Sequence, residues 1–318
     1  MIRHTQKFLK WTLPMVLLAV LVYSIYGSAP SEIVVIEAET NREEVLSGLY
    51  KEGYFLNKFS YYTALVAARF MGPVKPGGYS LKKSLGALVI NSSLESPDYK
   101  YIEIESGLRK EQIANQLSEE FGWSDLEKEE FINDLPICTF AAGEGYIAPG
   151  KYLIHKDDTP QNIRQRMEKR IYEIVDEIAA EEGINIFNTS QILTIASLIQ
   201  KEAAGKADMN LISGIIWNRF FDEMPLQIDA TLQYAKGEEG NWWPALYSRD
   251  KYIKSPYNTY LNKGLPPGPI ANPSEAAIEA ALKPKDTDCV FYLHDKRRNI
   301  HCSTTYQGHK NNISYYLN

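Results

Sequence analysis

Cysteine, histidine and clustered positive charge are all scarce in this 318-residue chain, and each shortage removes a class of chemistry. The three cysteines, Cys138, Cys289 and Cys302, fit no CxxC spacing and are too few for a disulfide framework. Cys289 and Cys302 are compatible with a single bridge in an oxidising compartment or with two buried thiols. The five histidines form neither HExxH nor HxH, so no protein-bound metal is expected, and no cofactor either. The net charge of −6, with no concentrated basic face, argues against nucleic acid as a partner. Low-complexity segments are missing, and only one stretch is apolar enough to span a bilayer. What remains is an ordinary globular composition, 44% hydrophobic and 23% charged. It carries 21 tyrosines, whose flat ring and polar tip suit sugar-facing clefts as well as half-buried positions.

The one long apolar stretch runs without a charge from Trp11 to Ser31. Its length matches a hydrocarbon core of about 30 Å. Arg3, Lys7 and Lys10 precede it, and the first charges after it are Glu32 and Glu37. The positive-inside rule then makes residues 1–10 a cytoplasmic tail, residues 11–30 a single-pass transmembrane anchor and the rest an exported domain. The catalytic part would lie on the periplasmic or extracellular side of the cell (inner) membrane. The alternative is a cleaved signal peptide ending near Gly27-Ser28-Ala29. Both readings export everything after residue 30.

The exported part begins with a faint internal echo. Val34 to Thr40 alternates like a strand and leads into Val45, Leu46 and Leu49 at helical spacing. Tyr101 to Gly107 alternates in the same way and leads into Ile113 and Leu117. A second helical stretch follows each, near 57–71 and 124–135, and each set closes on a short strand, Gly77 to Leu81 and Gly150 to Ile154. This spacing predicts two β-α-α-β modules, at 31–98 and 99–157, ahead of an α+β domain at 158–318. In that last part Ser190 is expected to cap a helix through Ala204, ended by Gly205, and further helices are expected near 208–221, 273–282 and 309–317. A strand is expected at Val290 to Leu293.

Glu202 stands out by its place on the first of those helices. Ile199, Leu198 and Ile195 lie three, four and seven residues before it, so a carboxyl group sits on the apolar stripe. Lost hydration penalises the charged form and raises the pKa, the tuning a general acid needs at neutral pH. A glutamate in a last turn can also lean out to water, and the pattern alone leaves both readings open. Downstream, Leu226 to Thr231 alternates polar and apolar residues, so that a strand would set Gln227, Asp229 and Thr231 along one side. Tyr257-Asn258-Thr259-Tyr260 offers hydrogen bonds and stacking faces, and the run Gly264 to Ile270 reads as a rigid loop.

Taken in order, the strings Ala196 to Ala203, Asn218-Arg219-Phe220, Met224 to Thr231, Tyr257 to Tyr260, Gly264 to Ile270, Asn272-Pro273 and the stretch ending at His309 resemble the membrane-anchored endolytic murein transglycosylase family, YceG-like. Glu144 to Pro149 is similar to the family's segment joining a LysM-like module to the catalytic part. The resemblance implies LysM-like modules before an α+β catalytic domain. It also implies non-hydrolytic cleavage of the MurNAc–GlcNAc β-1,4 bond within a glycan strand, ending nascent strand elongation. Glu202 corresponds to the family's catalytic glutamate. Members commonly carry a second glutamate two residues earlier, where this chain has Gln200. Ala148-Pro149-Gly150 also departs from the usual aromatic-Pro-Asp.

One carboxyl group suffices for such a reaction, because the sugar's own C6 hydroxyl attacks the anomeric carbon and leaves a 1,6-anhydro-MurNAc end. Two carboxylates are the rule in ordinary glycosidases. On this reading Gln227, Asp229, Thr231, Tyr257, Asn258 and Tyr260 contact substrate. Arg219 orients a carboxylate or braces the fold, and His309 is structural. Expected partners are peptidoglycan strands, the membrane and, by resemblance, cell-wall synthases and the division or elongation machinery. Two alternatives stay open: a hydrolytic muramidase using Glu202 and Asp229, and a non-catalytic membrane-anchored scaffold of the cell wall.

Overall fold

The computed structural model describes residues 30–133, 143–184 and 188–317. The expected anchor at 11–30 falls outside these except for its last residue, as does Cys138. Among the described residues, no helix is long and apolar enough to cross a membrane.

The chain divides into two compact units, Met1–Ile102 with Lys151–Asp157, and Glu103–Gly150 with Asp158–Asn318. In the first unit β1 (Ser31–Ile36) is followed by α1 (Arg42–Lys51), α2 (Lys58–Ala68), β2 (Gly77–Lys82) and α3 (Ala87–Ser93). Asn41 and Asn57 cap α1 and α2, their side chains accepting from the backbone N–H groups of Glu43 and Ser60. β1 and β2 pair antiparallel from Ser31 opposite Lys82 to Ile36 opposite Gly77. Val45, Leu46 and Leu49 of α1, at the expected positions, pack with Tyr79 and Leu81 of β2 and Ile90 of α3 in one buried cluster.

The second β-α-α-β sequence is also present, as β3 (Tyr99–Ile104), α4 (Lys110–Phe121), α5 (Asp125–Ile132) and β4 (Gly150–His155). It is not a self-contained body. The four strands form one sheet in the order β1-β2-β3-β4, and α4 and α5 belong to the second compact unit. The boundaries between compact units fall within β3, at the start of β4 and after Asp157, whereas the spacing of the echo suggested 98/99 and 157/158. A repeat in sequence marks repeated element order, and packing decides which elements form one body.

In the second unit α6 (Pro160–Glu182), α7 (Thr189–Glu202), α8 (Lys206–Phe221), α9 (Asp229–Lys236) and α10 (Glu275–Leu282) precede a hairpin, β5 (Phe291–His294) and β6 (Ile300–Ser303), and a final helix, α11 (Tyr306–Tyr316). The core centres on α7, whose Leu193, Ile195, Ala196, Leu198 and Ile199 are fully buried. They pack with Ile171 and Val175 of α6, Ile212 and Ile216 of α8, and Ile278 of α10. Each large apolar side chain buried in this way contributes about 1.5–3 kcal/mol.

Local details differ from the sequence reading in three places. Asn188, not Ser190, caps α7, its side chain accepting from the Gln191 N–H. Gly205 does not end α7 but stands at the N-cap of α8, where its N–H donates to Asp208. Residues 226–231 are not a strand. Gln227 turns the chain with a φ of 55°, and α9 starts at Asp229. Cys289 and Cys302 form a disulfide across the β5–β6 hairpin, resolving the choice left open above.

Candidate active site

Glu202 is the last residue of α7, and the stripe expected beneath it is real: Ile195, Leu198 and Ile199 are all 0% exposed. The residue keeps partial exposure, but its carboxyl group stands at the wall of a cavity of about 510 Å³. Arg219, Leu226, Gln227, Asp229, Lys251, Tyr260, Phe291, Tyr292, Tyr306 and His309 complete the lining. Lost hydration pushes the Glu202 carboxyl above its ordinary value, and the nearby Asp229 acts in the same direction. The Tyr292 hydrogen bond and the charges of His294 and Arg219 oppose this without overcoming it.

The hairpin holds this carboxyl in place. Tyr292 Oη donates to Glu202 Oε2 at 2.5 Å. His294, two residues along the strand, meets Asp208 Oδ2 at 2.6 Å. Residues at i and i+2 share one face of a strand, so a single face of β5 engages both ends of the α7–α8 turn. Arg298, between β5 and β6, adds a bond from Nη2 to the Ala204 carbonyl at 2.6 Å. Asp208 also accepts from the Ala204 and Gly205 N–H groups at 2.9 and 3.1 Å. Burial works against its charge, but those bonds and His294 hold its pKa below the usual carboxylate value.

Of the residues singled out from sequence, the cavity brings together Glu202, Gln227, Asp229, Tyr260, Arg219 and His309. Tyr260 Oη donates to Asp229 Oδ1 at 2.6 Å, which orients that carboxylate at the rim. Thr231, Tyr257 and Asn258 are not among the lining residues. Thr231 is buried in α9 and exchanges a 2.9 Å hydrogen bond with Thr259. Asn258, fully buried, donates to the Lys251 and Ile253 carbonyls at 3.0 and 2.8 Å and accepts from the Tyr260 N–H at 2.9 Å. It therefore fixes the segments that carry the lining residues Lys251 and Tyr260. Tyr257 packs its ring against Tyr234, centroids 4.7 Å apart.

Arg219 braces. Its guanidinium donates to the carbonyls of Val290 at 2.5 Å and Leu226 at 2.6 Å, joining the start of β5 to the 225–228 loop. His309 lies over Phe291, with ring centroids 5.6 Å apart, and its buried Nδ1 has no hydrogen-bond partner among the described residues. Burial, and then the Arg219 charge, lower its pKa, so the ring is neutral at pH 7. Sequence reasoning gave no role to Lys251, Phe291, Tyr292 or Tyr306. The tyrosine at 292, in the strand expected at Val290 to Leu293, was the available signal.

Comparison with known proteins extends this picture. The YceG-like family matches residues 34–315. An endolytic murein transglycosylase of Bacillus subtilis (strain 168) is 32% identical, over 81% of this chain and 77% of that protein. One from Streptococcus pneumoniae serotype 2 is 28% identical over 86% of this chain, which spans 55% of that longer protein. The crystal structure of a YceG-like protein from Listeria monocytogenes has the same fold, with a TM-score of 0.60 at 23% identity, covering 89% of this chain and 98% of that one.

Proposed function

The chain belongs to the YceG-like family, and from that premise we propose that it is an endolytic lytic transglycosylase that cleaves the MurNAc–GlcNAc β-1,4 bond of peptidoglycan strands. The observation that carries this reading is a single desolvated carboxyl group, Glu202, anchored by Tyr292 at the wall of a polar cavity. Tyr292 occupies Oε2, which leaves Oε1 to carry the proton. Burial, which raises the pKa, favours keeping that proton on the carboxyl.

The chemistry follows from those two atoms. Protonated Glu202 donates to the glycosidic oxygen as the bond from C1 of MurNAc to that oxygen breaks. The C6 hydroxyl of the same sugar attacks C1, forming the new C1–O6 bond, and Glu202, now a carboxylate, takes the hydroxyl proton. Glu202 ends protonated and no water is consumed. Charge that develops on the carboxyl in mid-reaction is stabilised by the Tyr292 hydrogen bond. Gln227, Asp229, Tyr260 and Lys251 supply donors and acceptors for sugar hydroxyls, and Tyr306 and Phe291 offer ring faces.

Residues 11–30 act in this proposal as the membrane anchor, with the catalytic unit outside the cytoplasm and wall synthases as neighbours. The segments 31–98 and 99–157 are read as LysM-like from the family resemblance, and each contains a strand-helix-helix-strand order. Digestion of purified glycan strands tests the activity. Wild-type protein is expected to shorten them internally, and Glu202→Gln to leave them intact; equal shortening by both would remove Glu202 from the mechanism. The hydrolytic alternative has one supporting observation, the carboxylate of Asp229 in the same cavity. It predicts reducing ends in place of anhydro ends.

A further inference from the structure

The helix α2 of the first unit is apolar on two sides. Ser60, Ala64 and Ala68 face inward. Phe59, Tyr62 and Val66, spaced three and four residues apart, form a stripe on the opposite side, exposed at 78%, 52% and 59%. Leu88, in the first turn of α3, is 80% exposed. A helix packed on one face normally shows water a polar one, and a contiguous apolar surface marks something that covers it.

The position of this surface says what that is. At the start of β1, Ser31 pairs with Lys82, while Glu32 accepts from Tyr54 Oη at 2.7 Å and meets Lys83 at 3.1 Å. One step further along both segments, the Leu56 N–H donates to the Leu85 carbonyl at 3.0 Å. Asn57 then caps α2, and Gly86 precedes α3. The first turns of both helices, with Phe59 and Leu88, thus lie beside the point where the chain enters the unit. In sequence that point follows directly on the uncharged run 11–30, with no spacer before Ser31. Two cations flank the surface: Lys83, and Lys58, whose Nζ lies 5.7 Å from the Tyr62 ring centroid.

We propose that this face of the first unit rests on the lipid bilayer, with Phe59, Tyr62, Val66 and Leu88 in the headgroup region and Lys58 and Lys83 beside anionic lipid phosphates. The proposal rests on the anchor reading of residues 11–30. Aromatic rings favour the membrane–water interface, and lysines at the edge of an apolar face favour anionic lipid. A tether without a spacer holds the surface within reach of the bilayer, so weak contacts suffice. The consequence is a first unit held flat against the membrane by a second contact, beyond its covalent tether.

Site-directed spin labelling of the full chain tests this in vesicles of phosphatidylethanolamine and phosphatidylglycerol. A Cys138→Ser background carries a single label at Leu88→Cys, at Val66→Cys or, as an aqueous reference, at the exposed position Glu239→Cys. Collisions with a water-soluble nickel chelate are expected to fall several-fold at 66 and 88 relative to 239, and collisions with oxygen to rise. Equal chelate access at all three sites, in protein that resists carbonate extraction, overturns the membrane contact and leaves the anchor standing. Release by carbonate removes both. Protection at 66 and 88 that appears only when glycan strands are added would assign the surface to glycan and overturn the proposal.

Discussion

At the scale of single residues, burial sets the acidity of Glu202 and one hydrogen bond tempers it while fixing the position of the carboxyl group. Tyr292 donates to the carboxylate form, so it lowers the Glu202 pKa while burial raises it. Tyr292→Phe removes the lowering contribution and moves the pKa further up. The general acid must be protonated, so the wild-type rate falls as pH rises through the raised pKa. In Tyr292→Phe that descending limb is expected at higher pH, at a lower maximal rate, as read from initial rates on glycan strands across pH. An unmoved limb would assign Tyr292 a purely structural part. Glu202→Gln is expected to cut the rate by about 10²–10⁴-fold, the usual worth of a general acid, with its melting transition retained. The place of Glu202 on an apolar stripe was legible in the sequence, because the helical period that sets it there is a local property. Tyr292 was not, because it lies 90 residues further along the chain and only tertiary packing brings the two together.

At the scale of elements, the β5–β6 hairpin is what makes the turn after α7 into a site. It contributes Tyr292, His294 and Arg298 to that turn, and the Cys289–Cys302 disulfide closes it. The double variant Cys289→Ser, Cys302→Ser opens a loop with a sequence separation of 13. The expected loss is about 3 kcal/mol in denaturant melts, with a fall in activity as Tyr292 loses its fixed place. An unchanged melting curve would show that the hairpin is held by its side-chain bonds alone. The segment 226–231 shows where element reading fails. Alternation there suggested a strand, but the left-handed turn at Gln227 reorients the chain, and from Asp229 the period is helical. Gln227 and Asp229 therefore reach the cavity, while Thr231 points into the core. Asn258 was expected to contact substrate, but it is buried and its hydrogen bonds go to backbone.

At the scale of the whole molecule, the order of elements was readable and their grouping into bodies was not, since α4 and α5 leave their strands for the second unit. That unit contains another buried carboxyl group, Glu144, from the segment resembling the family's joining region. Its Oε1 accepts from the Lys110 and Gly145 N–H groups, Oε2 has no partner among the described residues, and burial with the adjacent Glu111 lifts its pKa to about 8. A folded pKa above the unfolded one favours the protonated form. The contribution is therefore complete below the ordinary value of 4.5 and is lost as pH rises toward about 8. The loss is at most about 1.4 kcal/mol per pH unit. Wild-type stability is expected to decline across that window relative to Glu144→Gln in paired thermal melts; parallel curves would contradict it. Gly145 beside it has a φ of 84° and lies so close to Pro269 that a Cβ would overlap the ring. The joining segment is thus fitted tightly against the loop 264–270.

The central claim is that one carboxyl group, Glu202, cleaves glycan strands without water. Mass spectrometry of strands digested by the full chain in water enriched in heavy oxygen reads this directly. The account predicts new ends that are 1,6-anhydro-MurNAc, carry no solvent oxygen and are absent with Glu202→Gln. Reducing ends that have taken up the label would contradict it.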